Sequence, residues 1–224
     1  MGEIKLITTS DGSHSLLNTA LHETYHSIHG AIQESKHVYI DSGLEYWLRR
    51  HPGSEIRILE IGFGTGLNAL LSLLHTHEPT PKIYFESWKV HPLEAEVISQ
   101  LNYPSVLSAG EQFAALHQAP WNQSVGITTH FMLNKHQGDV LTDRFDAGRS
   151  YDLIYYDAFA PSKQPQLWTL DILRKVTWLL APGGLWVTYC AKGQVKRDLS
   201  SLGLTVETLP GPPGKKEMIR ASRG

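Results

Sequence analysis

The chain has 224 residues, of which 41% are hydrophobic and 19% charged, with a formal net charge of −2 and one cysteine. These values are typical of a folded globular domain and argue against a disulfide-stabilised scaffold or a strongly basic nucleic-acid binder. No apolar run approaches the roughly 20 residues that span a bilayer. The first residues also lack the apolar segment of a signal peptide, so we expect a cytoplasmic protein without membrane contact.

Charge is distributed unevenly along the chain. From Lys192 to the C-terminus there are seven basic and three acidic residues, whereas the residues before it include 13 basic and 19 acidic ones. A basic patch on an acidic body is compatible with a polyanionic partner that approaches from one side. A solvent-exposed face near the C-terminus would give the same pattern.

Residues 1–53 precede the first strand of the predicted sheet, and we expect them to form an N-terminal extension that packs over the active site. His22–Ile32 and Gly43–Arg50 have helical character. Residues 54–224 are predicted to form the ligand-binding domain.

One segment of the extension formally matches the zinc-protease pattern H-E-x-x-H, with His22, Glu23 and His26. In such proteins two histidines one helical turn apart bind Zn²⁺ and the glutamate acts as a base. The longer form of the pattern needs Gly and His at the positions of His29 and Ile32. We therefore expect no metal, and a zinc hydrolase remains only an alternative.

The next segment predicts a buried strand, a tight loop and a helix. Ile56–Ile61 is rich in aliphatic residues, Gly62, Gly64 and Gly66 follow at alternate positions, and Leu67–His75 is apolar with helical character. Glycines allow a sharp turn and a close approach of a ligand, and the following helix directs its N-terminal N–H groups toward that ligand.

The loop is unlike two common phosphate-binding loops. A dinucleotide-binding loop would have glycine in place of Leu67, and a P-loop would contain a lysine. Glu60 would repel a pyrophosphate but suits a ligand with an ammonium group. The pattern resembles motif I of class I S-adenosylmethionine (SAM) dependent methyltransferases, although an ordinary glycine-rich turn is the alternative. The resemblance implies cofactor contacts from Glu60, Gly62, Gly64, Gly66 and Asn68.

Strands and helices alternate from Glu55 onward, which predicts an α/β fold with a mostly parallel, seven-stranded, Rossmann-like sheet covered by helices on both faces. The predicted strands are Ile56–Ile61, Lys82–Glu86, Thr128–Leu133, Tyr151–Asp157, Gly184–Cys190, Leu204–Thr208 and Glu217–Ala221. The predicted helices are Leu67–His75, Pro92–Leu101, Gly110–Gln118, Pro165–Leu180 and Gly193–Leu202. Such sheets bind ligands at the carboxyl ends of their strands.

Acidic residues follow three of these strands. Glu86 ends the second strand, where a carboxylate can accept hydrogen bonds from both hydroxyls of a ribose. Asp139 follows the third, where it can accept one from an adenine amino group. Each acid alone could instead cap a helix. Asp157 ends the fourth strand and is followed by Phe159 and Lys163, so a carboxylate, an apolar wall and a positive charge are expected together.

Several segments resemble the methyltransferase part of the MnmC family, which acts on the wobble uridine of tRNA. They are ETYHSIHGAIQESKHVYIDSGL, EIGFGTGLN, DAFAPSKQPQLW and GPPGKKEMIRA. The resemblance implies a SAM-dependent transfer of a methyl group to the primary amine of 5-aminomethyl-2-thiouridine at position 34. The match is to a stand-alone, MnmD-like form, so we expect no FAD-dependent domain in this chain and a separate enzyme that supplies the aminomethyl substrate.

The same resemblance assigns expected roles to individual residues. Asp157 is the candidate catalytic residue and also a cofactor contact. The expected wall over the cofactor and substrate pockets includes Tyr25, His29, Gln33 and Phe159. Candidate contacts to the phosphates of the tRNA anticodon loop are Lys163, Lys192, Arg197, Lys215 and Lys216. A methyltransferase of the same fold that acts on a small-molecule amine is the main alternative.

Overall fold

The computed structural model describes residues 3–76, 81–146 and 148–224. The chain begins with an antiparallel three-stranded sheet of β1 (Ile4–Thr8), β2 (His14–Asn18) and β3 (Glu23–Thr24). A continuous helical segment follows, made of α1 (Ala31–Ser35), a π-helical stretch (Lys36–Glu45) and α2 (Tyr46–Leu48). Within the described residues, no helix is long and apolar enough to cross a membrane.

The remaining elements form an eight-stranded sheet and the helices around it. The strands are β4 (Ile56–Ile61), β5 (Ile83–Lys89), β6 (Ser124–Thr128), β7 (Phe131–Gln137), β8 (Tyr151–Tyr156), β9 (Leu180–Thr188), β10 (Leu204–Pro210) and β11 (Glu217–Arg223). The helices are α3 (Leu67–Leu74), α4 (Ala95–Ile98), α5 (Tyr103–Val106), α6 (Gly110–Gln118), a 3₁₀ turn (Pro165–Trp168), α7 (Leu170–Thr177) and α8 (Gly193–Ser201).

The order of the strands in the large sheet shows at which edge a ligand is expected to bind. The order is β10-β11-β9-β8-β4-β5-β7-β6, and the five strands from β9 to β7 are parallel. The chain moves from β4 to β5 on one side and later returns to β8 on the other. The strand order therefore reverses between β4 and β8, and a crevice is expected there at the carboxyl ends.

Both faces of the central strands are buried, which explains their nearly continuous apolar runs. On one face, Ile58 and Tyr155 share a core with Tyr39 and Leu44 of the N-terminal helical segment. On the other face, Ile154 packs in a second core that includes residues of α7 and α8. The N-terminal segment thus serves as one of the helical layers on the sheet. Its separation as a unit ending at residue 53 stays a prediction.

The predicted fold class is confirmed, but some elements differ. The large sheet has eight strands rather than seven, because β6 pairs antiparallel with β7 at one edge. The strand predicted at Thr128–Leu133 begins at Phe131 and runs to Gln137, and the one predicted to end at Glu86 continues to Lys89. The helix predicted at Pro165–Leu180 is a 3₁₀ turn followed by α7, and that at Pro92–Leu101 is confined to Ala95–Ile98.

The helix predicted at His22–Ile32 is wrong. His22 has a φ of 47°, and the next two residues form β3, which pairs with β2. The backbone N–H of Tyr25 donates to the carbonyl of Leu16, and that of His26 donates to the hydroxyl of Ser15. Hydrogen bonds to β2 therefore replace the helical ones, and the helical segment begins only at Ala31.

Candidate active site

A cavity of about 630 Å³ lies at the carboxyl ends of β4, β5 and β8. The sheet side contributes the loop after β4, the last two residues of β5 with the segment that follows them, and the residues that follow β7 and β8. The N-terminal segment contributes the opposite wall, from Glu23 to Ile28 together with Glu34. The cavity thus lies between the sheet edge and the N-terminal part of the chain.

The glycine loop forms one side of this cavity. Gly62 has a φ of 105° and Gly64 a φ of 52°, a region that favours glycine. A Cβ atom on Gly62 would lie 2.6 Å from the backbone oxygen of Asp157, and one on Gly64 would lie 3.6 Å from the ring of Tyr25. Side chains here would therefore strain the loop and fill the space beside the cavity. Gly66 precedes α3 and does not line the cavity.

Asp157 lies at the cavity surface and is held by two donors. The Tyr39 hydroxyl donates to its Oδ1 over 2.6 Å, and Asn68 Nδ2 donates to its Oδ2 over 2.8 Å. Burial raises the pKa of Asp157 to about 7, although the Tyr39 and Asn68 hydrogen bonds favour the carboxylate. Asp157 can therefore exchange a proton near neutral pH.

Glu60 lies beneath this aspartate rather than in the cavity wall, and it is fully buried. Asn68 Nδ2 donates to its Oε1 over 3.0 Å, and Ser87 Oγ donates to its Oε2 over 2.6 Å. Burial raises the pKa of Glu60 to about 8. Asn68 thus joins the two carboxyl groups, and a polar network connects β4, β5, α3 and the end of β8.

The acids predicted to bind the adenosine are placed differently. Asp139 lines the cavity. Glu86 does not: its carboxylate pairs with His136 over 2.9 Å and with Arg149 over 2.5 Å. Those partners hold the pKa of Glu86 below its ordinary value, although burial opposes them. The residues of β5 that reach the cavity are Trp88 and Lys89.

The predicted substrate residues fall into two groups. Tyr25, Phe159 and Lys215 line the cavity, and the Tyr25 and Phe159 rings meet edge to face with centroids 5.0 Å apart. Lys215 Nζ pairs with Glu34 Oε1 over 2.5 Å and lies 3.8 Å from the ring centroid of Tyr189. The cavity wall does not include His29, Gln33, Lys163, Lys192, Arg197 or Lys216.

Contacts of two outer residues tie separate parts of the chain together. Lys163 Nζ donates to the backbone oxygen of His22 over 3.1 Å, which joins the loop after β8 to the N-terminal sheet. The ring of His29 lies directly against Gly214, so it supports the loop between β10 and β11. These two residues hold the surroundings of the cavity in place.

The geometry removes the basis of the zinc-hydrolase alternative. His22 lies in a left-handed turn, and His26 is buried with its Nε2 2.8 Å from Thr65 Oγ1. Burial also lowers the pKa of His26 to about 4. The two histidines do not share a helix. Within residues 3–76, 81–146 and 148–224, no group of three or more His, Cys, Asp or Glu side chains is placed to hold a metal.

Tyr39, Tyr189 and Lys89 are among the residues of the site that were not predicted from the sequence. Tyr39 donates to Asp157 from 118 positions away in the chain, and Tyr189 donates to the backbone oxygen of Ala158 over 2.8 Å. Lys89 enters the cavity at the end of β5. A longer prediction of β5 would have revealed Lys89, whereas no local pattern indicates the tyrosine contacts.

Comparison with known proteins identifies the family. A family model described as S-adenosyl-L-methionine-dependent methyltransferase matches residues 109–224, more than half of the chain. The chain belongs to this methyltransferase family. Within the solved structures, MnmC2 from Aquifex aeolicus shares its fold, with a TM-score of 0.78 at 24% sequence identity; the match covers 100% of this methyltransferase and 71% of that chain.

Curated relatives of this methyltransferase are larger proteins. The "tRNA 5-methylaminomethyl-2-thiouridine biosynthesis bifunctional protein MnmC" of Cupriavidus necator is 30% identical over 215 residues. Its counterpart in Leptospira interrogans serovar copenhageni is 29% identical over 211 residues. Each match covers 89% of this chain but only 32% of the relative. The chain therefore spans about a third of the length of these relatives.

SAM is the methyl donor of this family, and the cavity suits it. The glycine loop leaves room that a Cβ atom would fill, and Asp157 and Asp139 present carboxylates to the same cavity. Carboxylates accept hydrogen bonds from the ammonium and adenine amino groups that SAM carries. When bound, SAM supplies a methyl group activated by a positively charged sulfur.

Proposed function

We propose that this methyltransferase methylates the primary amine of 5-aminomethyl-2-thiouridine at wobble position 34 of tRNA, giving 5-methylaminomethyl-2-thiouridine. One observation carries the proposal: Asp157, fixed by Tyr39 and Asn68, faces a cavity that also has an aromatic wall. A carboxylate next to aromatic rings suits an aminomethyl group attached to a pyrimidine. The names of the curated MnmC relatives and the resemblance of the segment DAFAPSKQPQLW support the same substrate.

The amine must lose a proton before it can attack. An alkyl amine has a pKa of about 10, so at pH 7 reaching its neutral form costs about 4 kcal/mol. Asp157 is the candidate acceptor, because its pKa of about 7 is well matched to a base that works near neutral pH. Its two donors also fix the carboxylate, so that the amine is aligned as well as deprotonated.

The remaining candidate residues would bind the nucleoside and the tRNA. Phe159 and Tyr25 form an aromatic wall against which a base turned out of the anticodon loop can pack. Lys163, Lys192, Arg197 and Lys216 lie outside the cavity wall and are proposed to contact tRNA phosphates. A separate enzyme would supply the aminomethyl group.

The proposal is tested by methyl transfer from labelled SAM into tRNA taken from cells that lack this methylation, followed by nucleoside analysis. We expect label in 5-methylaminomethyl-2-thiouridine. Unmethylated transcripts without the 5-aminomethyl group serve as the control and should stay unlabelled. If SAM binds but no tRNA nucleoside is labelled, the tRNA assignment is wrong, and small-molecule amines become the substrates to test.

A further inference from the structure

Strand β5 delivers a lysine into the ligand cavity. The strand runs from Ile83 to Lys89, and its last residue lines the cavity. Because side chains alternate along a strand, Lys89 lies on the same face as Ser87, which hydrogen-bonds to Glu60. Glu86 lies on the other face, with His136 and Arg149. The carboxyl end of β5 therefore presents a cation to the cavity and not the predicted acid.

The surroundings of Lys89 hold it inside the cavity. Its Nζ lies 4.8 Å from the ring centroid of Tyr25, a residue of the opposite wall. Glu60 and Asp157 attract its positive charge, although burial lowers the pKa of Lys89 to about 8. None of the ion pairs found among the described residues includes Lys89. It is thus a charged group near two acids that is not fixed by either.

We propose that Lys89 is a specificity-determining residue whose ammonium acts as the counter-cation to Asp157 and Glu60. Its positive charge repels the sulfonium of SAM but not the uncharged sulfur of S-adenosylhomocysteine (SAH). Lys89 therefore weakens the binding of SAM relative to that of SAH. The inference rests on the cofactor of the family and is independent of the tRNA substrate. It assigns Lys89 a role in the relative affinities of donor and product.

The expected effect follows from charge alone. SAM and SAH share the adenosine, the ammonium and the carboxylate, and they differ by one methyl group and one positive charge. Comparing their dissociation constants therefore cancels the contacts they have in common. For a sulfonium taken to lie about 10 Å from Lys89 Nζ in an effective dielectric constant of about 20, the repulsion changes an equilibrium by roughly tenfold. Removing the charge of Lys89 should therefore favour SAM over SAH by about that factor.

The experiment measures the Kd values of SAM and SAH by isothermal titration calorimetry at pH 7 and low salt. The variants are Lys89→Met, Lys89→Gln and Lys89→Arg. The matched control is Lys82→Met, since Lys82 precedes the same strand and its Nζ lies 5.2 Å from the ring of Tyr84, outside the cavity. Thermal unfolding of each variant verifies that it is folded.

We expect Lys89→Met and Lys89→Gln to lower the ratio of the SAM Kd to the SAH Kd by about tenfold, with Lys89→Arg and Lys82→Met close to wild type. A wild-type ratio in both neutral variants would overturn the proposal. So would an equal fall in Lys89→Arg, because the effect would then not depend on charge. These titrations contain no tRNA, so their outcome is distinct from a failure of the proposed function.

Discussion

Replacing Asp157 by asparagine should lower activity and weaken the loss of stability with rising pH. The pKa of Asp157 is about 7, against an ordinary value of 3.8, because the side chain is buried. The native state therefore favours the protonated form, which stabilises it fully below pH 4, and this contribution is lost as pH rises through 7. A pKa difference of this size corresponds to about 4 kcal/mol of stability lost by pH 9.

Asparagine has nearly the same shape and stays neutral at every pH. Its oxygen can accept from Tyr39, but its amide meets Asn68 Nδ2, which also donates to Glu60 Oε1, so the hydrogen bond from Asn68 is not replaced. We therefore compare the pH dependence: between pH 4 and pH 9 the free energy of unfolding of Asp157→Asn without ligand should fall less than that of wild type, by up to about 4 kcal/mol. Urea denaturation at the two pH values measures the difference.

Activity should fall in the same variant. Loss of a positioned acid or base costs about 10²–10⁴ in rate, so turnover at pH 7 with saturating SAM should fall in that range. The SAM Kd should change by less than about tenfold, since the glycine loop and Asp139 are untouched. Wild-type turnover in Asp157→Asn would refute the catalytic role. An equal loss of stability between pH 4 and pH 9 in wild type and Asp157→Asn would refute the reasoning about its protonation.

Further predictions address the network and the basic residues. Glu60→Gln should raise the free energy of unfolding at pH 9 but not at pH 4, because the pKa of buried Glu60 is about 8 and its ionisation destabilises the native state as pH rises. Urea denaturation measures the free energy of unfolding at each pH. Equal changes at both pH values would contradict the prediction. Tyr39→Phe removes a hydrogen-bond donor that favours the ionised form of Asp157, so the pH profile of methyl transfer should move to higher pH. An unchanged profile would show that Asp157 is not the titrating group. Lys216→Glu should raise the KM for tRNA and flatten the salt dependence of that KM without changing the Tm. Lys215→Glu should lower the Tm, because Lys215 pairs with the buried carboxylate of Glu34. An unchanged KM and salt dependence in Lys216→Glu would exclude Lys216 from the tRNA-binding surface.

Features determined by short stretches of chain could be predicted from the sequence. The strand Ile56–Ile61 has the predicted bounds, because an aliphatic run ends at a glycine loop. The helix Gly110–Gln118 also begins and ends as predicted. Asp157 follows its strand directly, so its place at the sheet edge required only the alternation of strands and helices. In these cases the information lies within a few residues of the feature.

The position of Glu86, the acid predicted to bind the ribose, could not be predicted in the same way. The residues after Glu86 include no proline or glycine until Pro92, so the sequence does not mark where β5 ends. The strand continues three residues further, so the carboxyl end that reaches the cavity is formed by Trp88 and Lys89. Glu86 lies three residues before that end and pairs with His136 and Arg149. Because the predicted strand ended three residues too early, the sequence predicted an acidic residue at the cavity where the structure has Lys89.

Contacts between distant segments of the chain also could not be predicted from the sequence. They show that the two sides of the cavity have different roles. The sheet edge supplies the glycine loop and Asp157, but the hydroxyl that holds Asp157 comes from Tyr39 in the N-terminal helical segment. Tyr25 meets Phe159, and His22 accepts a hydrogen bond from Lys163, so the N-terminal segment also positions the loop after β8. Since this loop and Tyr25 form the proposed nucleoside wall, changes in the N-terminal segment should alter substrate affinity more than SAM affinity.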